Sequence, residues 1–428
     1  MTPLSAFLAL PKGHDAGARP GLICLCSAHP LVIEAGLIAA NRAGLIPCLE
    51  ATCNQVNQDG GYTGMTPADF RDLVMGIADL TGVPRGGILL GGDHLGPNPW
   101  RHLPAAKAMD KALVMTRAYA AAGFAKIHLD ASMSCADDLQ PLPAATIAER
   151  AALLMQQAEA GARAGGHPPP GYIIGTEVPV PGGACETLDH LVVTRAQDAA
   201  ETLAQHVTAL KNAGLDHVWP RIVALVVQPG VEFGQLEIHR YVAAEAADLS
   251  AWRSKTSAFV FEAHSTDYQS ASALAQLVQD GFAILKVGPG LTFALREALY
   301  GLDAIAGEIA ANYVAGTLPH VMDTVMLAAP QHWRAYVSGT EADHHTQRHF
   351  GLSDRIRYLW PDPLAQKAVD CLMAALGGVE LPWPLISQHL GRLADGVAEG
   401  AIKPVAHDML IAAVQGALAP YVTACRAS

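Results

Sequence analysis

The sequence predicts a (β/α)8 TIM barrel with a helical C-terminal extension, and three observations lead there. Short apolar β-like runs alternate with Ala-rich helical stretches, which implies parallel strands joined by helical crossovers. Nearly every run ends in polar residues, the way a barrel gathers one site from many strand ends. No dominant Gly-rich nucleotide turn of the kind expected in an open doubly wound sheet is present.

The first strand is expected at residues 21 to 27, leading to a helix that begins near Pro30. Residues 44 to 51 form the second, followed through a Gly-rich loop by a helix near 67 to 80. The third, 88 to 91, precedes a helix from about Ala105 to Gly123, and the fourth, 126 to 129, precedes one over 144 to 164. The fifth and sixth, 172 to 175 and 222 to 227, flank a helix over 198 to 214; 258 to 261 and 282 to 287 complete the set. After about Leu318 helices continue without strands. The expected division is therefore a barrel over 1–318 and a helical extension over 319–428 packed on it.

The chain has 428 residues, 51% of them hydrophobic, and a net charge of −12, enough for a large core and without the basic footprint of a nucleic-acid binder. The first eleven residues lack a basic n-region, and no run reads as a membrane span, so a cytoplasmic protein is expected. Its eight cysteines are scattered with no CxxC pair, which suits a reducing compartment and buried thiols.

Reading off the strand ends gives the candidate site. They deliver Ser27 and His29; Glu50, Asn54, Gln55, Asn57 and Gln58; Asp93 and His94; His128, Asp130 and Ser132; Glu177 and Gly182-Gly183; Gln228 and Glu232; Glu262, His264, Ser265 and Asp267; and Lys286, Gly288 and Gly290. Acids and imidazoles gathered at one rim favour an enzyme. The most informative stretch is Gly91-Gly92-Asp93-His94-Leu95-Gly96-Pro97, where a His that can hold a metal stands beside an Asp that can move a proton. His94, His264 and either Glu232 or Glu177 offer an imidazole–carboxylate set with an open position, an arrangement that suits catalytic zinc and also admits manganese.

Four long motifs then carry a resemblance over nearly the whole chain: residues 54 to 65 (NQVNQDGGYTGM), 175 to 183 (GTEVPVPGG), 227 to 234 (VQPGVEFG) and 261 to 269 (FEAHSTDYQ), with SDRIRYLWP at 353 to 361. They resemble the family of tagatose-bisphosphate aldolase Z subunits, which is related to class II, zinc-dependent ketose-bisphosphate aldolases. The resemblance implies Asp93 as the proton-handling acid, His94 and His264 as metal ligands and Glu177 as the fifth-strand acid. Gln228 and Glu232 stand where the aldolases offer a His, and Gly288-Pro289-Gly290 where they carry an Asn and a Thr-Asp. The family is described in two ways: as a non-catalytic partner that stabilises a separate aldolase subunit, and as D-tagatose 6-phosphate 4-epimerases of galactitol catabolism.

Chemistry favours the second description as the expectation, namely an isomerase interconverting D-tagatose 6-phosphate and D-fructose 6-phosphate. The C4 hydrogen of a 2-ketose is β to the carbonyl and not acidic, so inversion calls for retro-aldol cleavage between C3 and C4. Asp93, with Glu177 or Asp130, is expected to handle protons; Ser353, Arg355 and Arg357 to hold the phosphate, with the amides of Gly288 and Gly290 competing for that role. Ser27, Glu50, Asn54, Gln228, Ser265 and Lys286 are the remaining expected substrate contacts. A homo-oligomer or an aldolase partner subunit is the expected assembly.

Other features read as structural. Asp343-His344-His345 with His349 has i,i+4 imidazole spacing but reads as a solvated segment, and Gly86-Gly87 and Gly91-Gly92 as close backbone packing. Cys24 and Cys26 alternate toward one side of a strand, and His128 reads equally as a satisfied core histidine or as a ligand.

Overall fold

The structure, a computed structural model, describes residues 1–175, 191–256 and 258–426. Ten strands are present among them: β1 (Leu22–Cys26), β2 (Cys48–Thr52), β3 (Leu89–Leu95), β4 (Lys126–Leu129), β5 (Gly171–Ile174), β6 (Ile222–Val226), β7 (Glu232–Phe233), β8 (Ile238–His239), β9 (Val260–Ala263) and β10 (Ile284–Val287). Eight close into a parallel barrel in the order β1-β10-β9-β6-β5-β4-β3-β2, and β7 and β8 form a small antiparallel hairpin in the loop after β6. This is the (β/α)8 barrel expected from the alternation, with its helices outside.

Local chemistry fixes the elements. Thr66 and Asp69 form a reciprocal capping box at the start of the helix Pro67–Thr81, which ends on Gly82 in the left-handed region at φ 72°. The helix Pro30–Ala43 is capped by His29 Nδ1, which accepts from the Leu31 amide, and it stops at Gly44. Gly91 answers a close approach: a Cβ there would lie 2.6 Å from the Glu50 carboxylate. The glycines at 86 and 87 have open space around them, so the close packing expected of both pairs holds at Gly91-Gly92 only.

The barrel interior is layered. Leu22, Cys24, Cys48, Leu89, Ile173, Ala224, Val260 and Ile284 form an apolar floor, closed from below by Phe7 and Leu10 of two short N-terminal helices, Pro3–Leu8 and Leu10–Asp15. Above the floor the interior turns ionic. Lys126 lies 2.7 Å from Glu50 and 2.6 Å from Glu262, all three fully buried, and Lys286 joins the same network through Glu50 and, at 2.7 Å, Asp93. The histidines described below cap this layer.

Beyond β10 the chain is helical. The 20-residue helix Ala406–Cys425 is long and apolar enough to cross a membrane by length and composition, although no run was expected to read as a span. Its apolar side is instead packed along the helices Pro30–Ala43 and Pro289–Ile309 of the barrel wall.

Candidate functional site

Alternation along parallel strands puts every second side chain on the barrel interior. That period brings Lys126 and His128 of β4, Glu262 and His264 around β9, and Lys286 of β10 to one axis with Asp93 and His94 at the end of β3. β3 runs further than expected, to Leu95, so Asp93 and His94 are strand residues and not loop residues. His94 turns left-handed at φ 50°, as does Ser265 at φ 53° just past β9. Non-glycine residues in that region cost energy and are held by their surroundings, a pattern that gathers at functional sites.

His94, His128 and His264 stand mutually edge-on, their ring centroids 4.8 to 5.1 Å apart. A carboxylate holds one nitrogen of each ring. Asp130 Oδ2 lies 2.8 Å from His94 Nδ1, Asp93 Oδ1 2.9 Å from His128 Nδ1, and Glu262 Oε1 2.8 Å from His264 Nε2. The His94 amide also donates to His128 Nδ1 at 3.1 Å, and His128 Nε2 is buried without a hydrogen-bond partner. Asp93, His94, His128 and His264 place donor atoms within 4.8 Å of one another. Carboxylate-backed imidazoles converging on a point are what a divalent metal asks for, and the second nitrogen's partner sets tautomer and basicity.

Charge balance tunes the group. Burial raises the Asp93 carboxyl, but His94, Lys286 and His128 outweigh it and hold it well below the usual range. Burial likewise opposes ionisation of Asp130, yet its bonds to His94 and Ser132 bring it down to about 2. Glu262 is also held low, against burial, by Lys126 and Lys286. The three carboxylates that back the histidines are therefore anionic at neutral pH.

The mouth above this cluster is lined by Asn54, Gln55, Tyr62, Asp93, His94, Phe233, His264, Ser265, Asp267, Lys286, Gly288, Arg357 and Tyr358 among others. Of the expected residues, Asn54, Ser265, Lys286, Gly288 and Arg357 lie here with Asp93, His94 and His264. Several others lie elsewhere. Glu50 is beneath the mouth, fully buried between Lys126 and Lys286. Gln228 closes its own turn, its side-chain oxygen accepting from Gly230 and Val231 at 2.8 and 3.0 Å. Ser27 accepts from the His29 amide and lines an adjoining cavity, not the mouth.

Glu232, expected as the third metal ligand, is not among the converging donors. Its Oε1 accepts from the Phe233 amide, and burial raises its carboxyl to about 7, which suits a protonated acid more than a ligand. His128, and not Glu232, stands with His94 and His264 among the converging donors. Glu177, its rival, lies outside the described residues.

The phosphate expectations divide in the same way. The amides of Gly288 and Gly290 both donate to Asp267 Oδ1, at 3.1 and 2.7 Å, so that turn is already occupied by a carboxylate. Ser353 is buried and is not among the residues that line the mouth; its carbonyl accepts from Arg357. Arg355 donates to the His332 carbonyl at 2.7 Å and lies over the Tyr336 and Tyr358 rings. Arg357 alone of the pair faces the mouth, held by the Asp354 carbonyl and Tyr358. Tyr62 and Tyr358, packed against each other beside it with ring planes tilted by 55° and centroids 4.6 Å apart, carry no local mark in the sequence, because a distant turn brings them together.

A closed parallel barrel with carboxylate-backed histidines at the carboxyl ends of its strands defines a (β/α)8 barrel protein whose His and Asp side chains could hold a metal ion. More narrowly, the chain belongs to the family described as D-tagatose-1,6-bisphosphate aldolase subunit GatZ/KbaZ-like, whose model matches residues 7–426. It is 49% identical over 412 residues to the D-tagatose-1,6-bisphosphate aldolase subunit GatZ of Salmonella newport (strain SL254), covering 96% of this chain and 97% of that one. The Salmonella typhimurium protein of the same name is 48% identical over the same length. Among solved structures, one from Sinorhizobium meliloti 1021 described as a probable tagatose 6 phosphate kinase is 51% identical, with a TM-score of 0.87, and covers 95% of this chain and all of that one. These relatives correct the expected isomerase: the curated proteins are aldolase subunits, which associates the family with carbon–carbon lyase chemistry and not with epimerisation.

Proposed function

We propose that this chain is a subunit of a D-tagatose-1,6-bisphosphate aldolase, with a barrel mouth of its own that holds a divalent metal, zinc first and manganese second, and a ketose phosphate. The three carboxylate–imidazole pairs carry this reading, since a subunit that served only to stabilise a partner has no use for three oriented, partly unpartnered histidines buried at the catalytic end. His94, His128 and His264 are the residues that would hold the ion. The chemistry it supplies there is polarisation of a ketose carbonyl, which weakens the bond between C3 and C4.

The chain's own groups do the rest. Asp93 lines the mouth and is kept anionic, so it can accept the proton of a substrate hydroxyl; Lys286, 2.7 Å away, compensates its charge. Arg357, framed by Tyr62 and Tyr358, offers a guanidinium to a phosphate. Asn54 and Ser265 supply further polar contacts to the sugar. Glu177 remains a proposed second acid on the strength of the motif at 175 to 183.

The test is release of triose phosphate from D-tagatose 1,6-bisphosphate by the purified chain, alone and with a class II aldolase partner subunit, with zinc or manganese supplied. We expect the combination to be active and His264→Ala in this chain to lower that activity by at least about a hundredfold. If the His264→Ala chain supports the partner as well as the wild type does, the mouth takes no part and the role is stabilisation alone.

A further inference from the structure

We propose that Asp323, His345 and His349 form a second divalent-metal site, on the C-terminal helices and separate from the barrel mouth. The helix Glu341–Phe350 carries His345 and His349 one turn apart, with ring centroids 4.7 Å apart. Asp323 reaches them from the helix Thr317–Ala328, and the three residues place donor atoms within 4.8 Å of one another. The spacing was visible in the sequence and read as a solvated segment. Asp343 and His345 are exposed, as that reading expects, whereas His349 is only 3% exposed and is held on both sides.

Those contacts are the ones a ligand needs. The Tyr300 hydroxyl lies 3.1 Å from His349 Nδ1, so Nδ1–H can donate there and leave the Nε2 lone pair for an ion, as the outer partners of metal-bound histidines do. Without an ion, Nε2–H donates to Asp323 Oδ1 at 3.0 Å, and a bound ion would replace that proton. Arg348 also donates to that oxygen, through Nε at 2.9 Å and Nη2 at 2.7 Å, which fixes the carboxylate while Oδ2 carries none of these bonds. His345 is exposed, so ions have access and a water can complete the coordination. Two imidazoles and one carboxylate select zinc, nickel or copper over calcium or magnesium.

Occupancy would bind the two helices together. The helix Glu341–Phe350 is followed, after residues 351 to 354, by the turn that carries Arg357 to the mouth, so the ion would brace that side of the barrel site from outside.

The experiment counts zinc bound to full-length protein that has been stripped with chelator, using wild type, His345→Ala, His264→Ala and the double variant. His345 is exposed, so its replacement leaves the fold intact, which circular dichroism in chelator checks. The expected result is one fewer zinc per chain in His345→Ala than in its parent, in both backgrounds, and a zinc-dependent rise in Tm of His264→Ala that the double variant lacks. Equal zinc binding by His345→Ala and its parent overturns the proposal. The two sites are told apart: if the barrel reading fails, wild type binds a single zinc that His345→Ala loses and His264→Ala keeps.

Discussion

Each histidine at the mouth is positioned by a carboxylate, and the carboxylates are positioned by what lies behind them. Asp130 is fixed by two bonds from Ser132, through its amide at 3.0 Å and its hydroxyl at 2.6 Å, so it presents Oδ2 to His94 in one orientation. Removing such an outer partner typically weakens metal binding by about 10–100-fold. Asp130→Ala should do this to the barrel site, read by competition with a chromophoric zinc chelator; unchanged affinity would show that His94 is not a ligand. Beneath, Lys126 neutralises Glu50 and Glu262 with no exposed surface on any of the three. Lys126→Met leaves two buried carboxylates short of a partner and should cost about 3–5 kcal/mol in urea unfolding. A loss under 1 kcal/mol would mean that Lys286 alone balances both.

The turn Arg355–Leu359 shows how one short element gives two similar side chains different work. Asp354 precedes it with φ 43°, its carboxylate held by Thr292 at 2.6 Å and Arg296 at 3.1 Å, and this anchor sends Arg357 toward the mouth and Arg355 outward between aromatic rings. Arg357→Ala should therefore raise KM for a ketose phosphate about tenfold or more with little change in Tm, because only a charge-assisted contact is lost. Arg355→Ala should lower Tm and leave KM nearly unchanged in the folded protein. A KM rise in both variants would put Arg355 back on the phosphate.

Across the whole molecule, neutral imidazoles are buried at points remote from the mouth. His14 sits 2.8 Å from the Pro20 carbonyl where the N-terminal helices close the barrel floor, and burial lowers its pKa to about 4. His206, on the helix Ala196–Asn212, is lowered by burial too. In the unfolded chain these rings titrate near 6.5, so as pH falls below that value the unfolded state takes up protons that the folded state refuses. The contribution of His14 is present in full above about pH 6.5 and is lost as pH falls toward 4, and that of His206 declines in the same direction. The urea midpoint should drop between pH 7 and pH 5, and His14→Gln should make that drop smaller. An equal drop in the variant would assign the acid sensitivity to other groups.

Periodicity and strand-end chemistry were enough to determine the barrel, since the alternation of apolar runs with Ala-rich helices is a local property of the chain. Asp93, His94 and His264 were legible for the same reason: each ends a recognisable strand. His128 carried a signal that the sequence reading left open, because Lys126, His128 and Asp130 share one face of an otherwise apolar strand, and a charged face there can only be the barrel interior. Which carboxylate backs which imidazole, that Glu232 turns to its own neighbour's amide, and that Arg357 and not Arg355 reaches the mouth were decided by the tertiary structure alone. Those outcomes depend on distances between residues up to hundreds of positions apart, set by barrel closure and by the fold-back of the C-terminal helices, and no local pattern encodes them. The bracing of His349 by Tyr300 and Asp323 has the same origin, because three separate helices must pack before an i,i+4 pair of histidines gains its third partner.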